Sequence, residues 1–190
     1  MTTEAKDLIT SYLTDMLALE HHLQKAIAGQ LGALDEHSAF AHDLRDVHDT
    51  CANHVNSLNQ LADRRASKSQ GIAGSVKDAA SSMLGVGAVF VDKLRTEKLP
   101  KNLRDDYTAI SLANAGYMML YTTARSVEDT EVAELAHQHL ANHSLSIGSI
   151  THMIPAAVIH FLKDEGLAAR DDLLPDIETE ISTLCALAPR

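Results

Sequence analysis

Four long segments of this chain repeat an apolar residue every three or four positions, and each admits one polar residue into the stripe so formed. In the first, Ile9, Tyr12, Leu13, Met16, Leu23 and Ile27 enclose Glu20. In the second, Phe40, Leu44, Val47, Cys51, Leu58 and Leu61 enclose His54. Ile110, Ala113, Leu120 and Ala124 enclose Tyr117 in the third, and Val132, Ala136, Leu140, Ile147, Ile150 and Ile154 enclose His143 in the fourth. This spacing builds helices that turn one face to a core. A polar group on that face must find a partner there or hold something. One such residue is noise, whereas one per helix points to a shared site at the centre of a bundle.

Composition agrees with helix throughout. Apolar residues make up 45% of the 190 positions, Ala and Leu are abundant, and there is no Trp and only four Pro, which favours helix over sheet. A chain of this length reads as a single domain over 1–190. The net charge of −10 supplies no basic stripe for nucleic acid and disfavours an anionic membrane surface. The opening MTTEAKDLIT shows no basic region followed by an apolar run, and no stretch is read as a transmembrane segment. Cys51 and Cys185 lack the spacing of a zinc knuckle or redox motif, so the expected setting is reduced and cytoplasmic.

The helices are expected at 3–31, 36–65, 103–128 and 130–162. Thr2 or Thr3 can cap the first, Asp35 or Ser38 the second and Asp129 the fourth. Pro100 ends whatever precedes the third, and Asn102 with Asp105 resembles a capping box. Pro155 is expected to kink the fourth helix or restart it. The link from about 66 to 102 is too long for a hairpin and implies a crossover between opposite ends of the bundle. It opens with RRASKSQGIAGS and continues as an amphipathic segment whose run MLGVGAVFV is read as covering an end or groove of the bundle rather than as a membrane-surface helix. The tail from about 165 to 190 carries a short helix whose Ile177, Ile181 and Leu184 pack on the bundle or on a second subunit. A faint repeat relates Cys51-Ala52-Asn53-His54 to Leu140-Ala141-Asn142-His143, placing the stripe histidine identically in both halves.

Helix, helix, crossover, helix, helix resembles the ferritin-like bundle, most closely the small bacterial stress-associated proteins of the YciE/YciF type, over roughly residues 5–160. DLITSYLTDMLALEHHLQKAI and GYMMLYTTARSVEDTEVAEL carry the likeness. The resemblance puts Glu20 in the place of the first-helix carboxylate, and His54 and His143 in those of the two Glu-x-x-His histidines. The departures are large. Cys51 and Leu140 stand where those motifs have Glu, and Tyr117, with Asn114 one turn earlier, replaces the third-helix carboxylate. One carboxylate is too few for a conventional di-iron centre.

Three arrangements stay open. Glu20, His54 and His143, with Tyr117 as a fourth ligand or outer partner, could form a mononuclear iron(II) or zinc site. The same residues could instead form a metal-free hydrogen-bonded network. A haem between the two histidines is the third. His139 shares a face with His143 and is read as lying at the solvent boundary, with an extra-ligand role as the alternative. His42 and His48, among Asp43, Asp46 and Asp49, are expected to face water. Cys51, one turn from His54, is a core residue that would lie near any metal and could meet peroxide there. No nucleophile elbow or phosphate loop is present.

The sequence is thus read as an all-α, ferritin-like four-helix bundle with a long crossover between helices two and three and a short C-terminal helix, forming a homodimer. Its expected function is stress-associated metal binding at a reduced, mononuclear centre. The rival reading is a metal-free structural or protein-interaction bundle.

Overall fold

The computed structural model describes residues 2–68 and 98–186, and all regular structure there is helical. Five α-helices follow in order: α1 Thr3–Leu31, α2 Ala39–Lys68, α3 Lys98–Ser126, α4 Thr130–Asp164 and α5 Leu174–Ala186, the last preceded by a 3-10 turn at Asp171–Leu173. Side-chain oxygens take up the orphan amides at three starts. Thr2 accepts from the Ala5 N–H at 3.3 Å, Ser38 from Ala41 at 3.1 Å, and Asp129 from Val132 at 3.3 Å. Asp35 caps the preceding turn instead, accepting from the His37 N–H, so α2 starts three residues later than expected.

The third helix begins at Lys98, ahead of the expected 103. Pro100 falls within its first turn, where amides have no intrahelical acceptor, so the missing N–H costs nothing and proline opens the helix. Asn102 and Asp105 therefore lie inside α3 and form no N-terminal capping box. The fourth helix carries Pro155 within a continuous span and does not restart there.

Two helix ends use the same closing geometry with different residues. After α4, Gly166 takes φ 71°, and the Leu167 and Gly166 amides donate back to Leu162 and Lys163. After α3, Glu128 takes φ 60° in the same role, with Asp129 and Glu128 donating to Ala124 and Arg125. A left-handed residue with a Cβ is strained where glycine is not. Glu128→Gly is therefore expected to stabilise the fold by about 1 kcal/mol, read as a higher urea midpoint at unchanged slope.

Cross-links at the two ends of the bundle fix its topology. Gln30, near the end of α1, donates to Asp106, near the start of α3, at 2.8 Å. Arg65, near the end of α2, binds both oxygens of Asp129, the cap of α4, at 2.6 and 2.7 Å. With tight turns joining α1 to α2 and α3 to α4, these contacts make α2 and α3 parallel. The end of α2 and the start of α3 lie at opposite ends of helices that are about 45 Å long. The connection between them, 69–97, is thus a crossover; the expected helix within it lies outside the described residues.

Each long helix packs on two neighbours in the ring α1, α2, α4, α3, and their apolar stripes meet inside it. The core includes Ile9, Leu23, Leu44, Leu61, Ile110, Leu120 and Ile150. By length and composition alone α4 could cross a membrane, with a mean hydropathy of 1.5 over its most apolar window. It is the one such helix among the described residues, and its inward face carries the buried His139 and His143. Helix α5 lies against α4, with Ile177 and Ile181 half-buried, whereas Leu184 is exposed and does not pack on the bundle.

Candidate functional site

The stripe residues of the four helices meet at mid-height. Glu20, Tyr117 and His143 are 0% exposed and His54 is 1% exposed. Glu20 Oε1 receives three hydrogen bonds: from His143 Nε2 at 2.7 Å, the Tyr117 hydroxyl at 2.8 Å and His54 Nδ1 at 2.9 Å. One carboxylate oxygen thus gathers a donor from each of the other three helices. Among the described residues the second oxygen, Oε2, has no hydrogen-bond partner, and neither has His143 Nδ1.

A further layer surrounds this centre. His139 is 3% exposed, not at the solvent boundary where the sequence reading placed it. Its Nδ1 lies 2.8 Å from the Tyr117 hydroxyl, its Nε2 lies 2.8 Å from Ser57 Oγ, and its ring stacks on His54 at 3.8 Å between centroids. The physical reason is the axis of the buried seam of α4, which runs through Val132, Ala136, His139, His143, Ser146, Ile150 and Met153 and leaves Leu140, Ile147 and Ile154 half-buried beside it, so His139 and His143, one turn apart, both face inward. Tyr117 donates to Glu20, so it accepts from His139 Nδ1–H. The single Ser57 hydroxyl proton is shared among the Asn53 and His54 carbonyls, each 3.0 Å away, and His139 Nε2. The far nitrogen of His54, Nε2, lies 3.2 Å from Asn142 Nδ2. Ser57 and Asn142 escaped the sequence reading because neither lies on an apolar stripe. Asn142 carried one signal, its place in the repeat beside His143.

Electrostatics follow from burial and pairing. Burial alone would raise the Glu20 carboxyl, but the hydrogen bonds and charge of His143 and His54 outweigh it and hold the acid at about 2. Burial, with the adjacent Glu20 charge, raises Tyr117 well above the ordinary phenol range, so it remains a donor. Burial depresses His139 to about 3, with His54 acting in the same direction, so its ring is neutral. Cys51 lies close enough for Glu20 to act on it. Burial first, and then the Glu20 charge, push its thiol up, which leaves it protonated and a poor nucleophile toward peroxide.

Glu20, His54 and His143 each bring a ligand atom within 4.8 Å of the others. Two imidazoles and a carboxylate suit a borderline divalent cation. A haem does not fit. The His54 and His143 rings are 4.7 Å apart and both address the one Glu20 oxygen that fills the space between them. His42 is exposed beside Asp43, and the half-buried His48 pairs with Asp49 at 2.9 Å, so neither joins the centre.

No family model matches the chain, and no curated protein matches it. Among solved structures, the chain is similar to a protein from Xanthomonas campestris pv. campestris str. ATCC 33913, with a TM-score of 0.66 at 16% identity over 86% of this chain and 99% of that one. Likeness at that identity concerns the helical fold alone.

Proposed function

We propose that this protein is a ferritin-like bundle that holds one divalent cation, iron(II) or zinc, between Glu20, His54 and His143. The observation that carries the reading is a fully buried carboxylate and two imidazoles from three helices, with Glu20 Oε2 lacking a hydrogen-bond partner among the described residues. A bare buried carboxylate oxygen is costly, and a cation would satisfy it. The donors stand 2.7 to 2.9 Å from Glu20 Oε1, whereas ligands around a tetrahedral zinc stand roughly 3.3 Å apart. Seating the ion thus requires the three groups to part by about half an ångström. Tyr117, held as a phenol, then serves as an outer partner of Glu20 and not as a ligand. A bound cation would act as a Lewis acid toward water or a small substrate at its open positions.

A second reading is favoured by the pairing itself. His54, Tyr117, His139, Ser57 and Asn142 form a continuous hydrogen-bonded chain about Glu20 that fixes the register of all four helices without a metal.

The discriminating experiment is the metal content of protein purified without an affinity tag. The proposal expects about one iron or zinc per chain in the wild type and none in the Glu20→Ala/His54→Ala variant. Wild-type protein that carries no metal, and whose stability is unchanged by a chelator, would leave the metal-free network as the function of these residues.

A further inference from the structure

We propose that the groove between α2 and α4 is the route by which a hydrated divalent cation reaches the buried centre, entering at Asp46 and passing Asn142. The inference rests on the metal reading above and adds to it the path that an enclosed site requires.

Glu20 and His143 are 0% exposed and His54 is 1% exposed, so no cation meets them directly from solvent. Two half-buried side chains touch the histidines of the centre from outside. Ser57 Oγ lies 2.8 Å from His139 Nε2, and the Asn142 amide lies 3.2 Å from His54 Nε2. Asn142 also lines an open groove of about 130 Å³, which Ser57 does not. Asn142 therefore stands between that groove and the ring of a ligand.

The lining of the groove suits a cation. Asp46, Thr50, Asn142, Ser146 and Ser149 form it with Val47 and Leu145, and none of these is Lys, Arg or His. An anion would find no counter-charge there. Thr50 gives its hydroxyl proton to the Asp46 carbonyl at 2.9 Å, and Ser146 gives its own to the Asn142 carbonyl at 3.2 Å. Each hydroxyl oxygen thus keeps lone pairs for a cation, in exchange for departing waters. Asp46 is exposed whereas Ser146 is buried, so the lining runs from a carboxylate at the mouth to hydroxyl and amide groups at the floor. Asp43 and Asp49, exposed one turn to either side of Asp46, deepen the negative potential at the mouth. Arg45 does not line the groove.

Stopped-flow uptake of cobalt(II) by the metal-free protein tests the route, with release into excess chelator as the second readout. Ser149 is exposed and touches no ligand residue of the centre, so Ser149→Phe fills the groove at a distance. It is expected to slow uptake and release alike by about 10-fold and to leave Kd unchanged. Asn142→Ala shortens the side chain over His54 and is expected to accelerate both by about 10-fold, whereas a damaged site would hasten release alone. Asp46→Asn should slow uptake about 3-fold in low salt and have no effect in high salt. Asp15→Asn, the same change on the exposed face of α1, should leave uptake unchanged. Wild-type uptake rates in both S149F and N142A overturn the route while metal binding stands, as does a change confined to release. Equal slowing by D46N and D15N overturns the assignment of Asp46 as the mouth. A wild type that takes up no cobalt rejects the metal reading and the route with it.

Discussion

Glu20→Ala is expected to lower the stability of the metal-free protein by about 3–5 kcal/mol. The carboxylate accepts from His54, Tyr117 and His143 through a single oxygen, and all three donors are buried. Removing it strands an imidazole N–H on each of α2 and α4 and a phenol on α3 in a region that water does not reach. Each stranded donor costs about 1–3 kcal/mol, less than additively because the three share one acceptor. The carboxyl leads to a similar figure by a separate route. Its depression from 4.5 to about 2 corresponds to about 3 kcal/mol. That contribution is complete above the unfolded value and is lost as pH falls from 4.5 toward 2. Glu20→Gln keeps the shape and loses the charge, so about 2 kcal/mol is expected. Urea denaturation at neutral pH in the presence of a chelator measures both. A loss below about 1 kcal/mol in Glu20→Ala would show that the carboxylate does not organise the core.

Asp106→Asn is expected to act in the opposite direction, stabilising the protein by about 2–4 kcal/mol at pH 8. Asp106 is 4% exposed near the bundle end where α1 finishes. Gln30 donates to its Oδ1, while its Oδ2 and the Gln30 Oε1 have no hydrogen-bond partner among the described residues. Burial raises the carboxyl to about 7, against the Gln30 hydrogen bond and with the Asp105 charge adding to the rise. Unfolded Asp106 loses its proton near 3.8, whereas the folded residue keeps it to about 7. Between those values the folded state binds more protons, so stability falls as pH rises and the whole contribution is gone above the folded value. Asparagine preserves the acceptor for Gln30 and has no proton to lose. Stability curves of the wild type and D106N should converge below pH 4 and separate progressively toward pH 8. Glu20 and His139 act with the opposite sign at lower pH, and because both proteins contain them the difference between the curves isolates Asp106. Parallel curves would refute the assignment.

Asp106 also marks how far the sequence could be read. Its helix begins at Lys98, ahead of the expected 103, because in sequence Pro100 reads as a stop and not as a first-turn residue. Where register was carried by apolar spacing, the reading placed the four inward polar residues correctly. Glu20, His54, Tyr117 and His143 converge as their stripes require, since a 3.6-residue period determines facing direction without knowledge of neighbours. Ser38 and Asp129 cap their helices because a short polar side chain before an apolar run has one geometry to satisfy. The second layer was hidden. His139 looked like a boundary residue because Leu140, Ile147 and Ile154 read as the stripe of α4, whereas the buried seam passes through His139, Ser146 and Met153, one residue away, a choice that packing against the neighbouring helices makes. Ser57 and Asn142 face the centre from stripe edges, where sequence periodicity assigns no side. The distribution of three donors on one carboxylate oxygen and none on the other is also a property of packing, and no spacing encodes it.

The claim that Glu20, His54 and His143 form a cation site is tested most directly by anomalous diffraction at the zinc edge, on crystals grown with a modest excess of zinc. The account predicts one strong peak per chain in the bundle core, roughly 2.0–2.2 Å from His54 Nδ1, His143 Nε2 and a Glu20 oxygen, with Tyr117 hydrogen-bonded behind the carboxylate. A core without a peak, in which Glu20 Oε1 still receives all three hydrogen bonds, would contradict it.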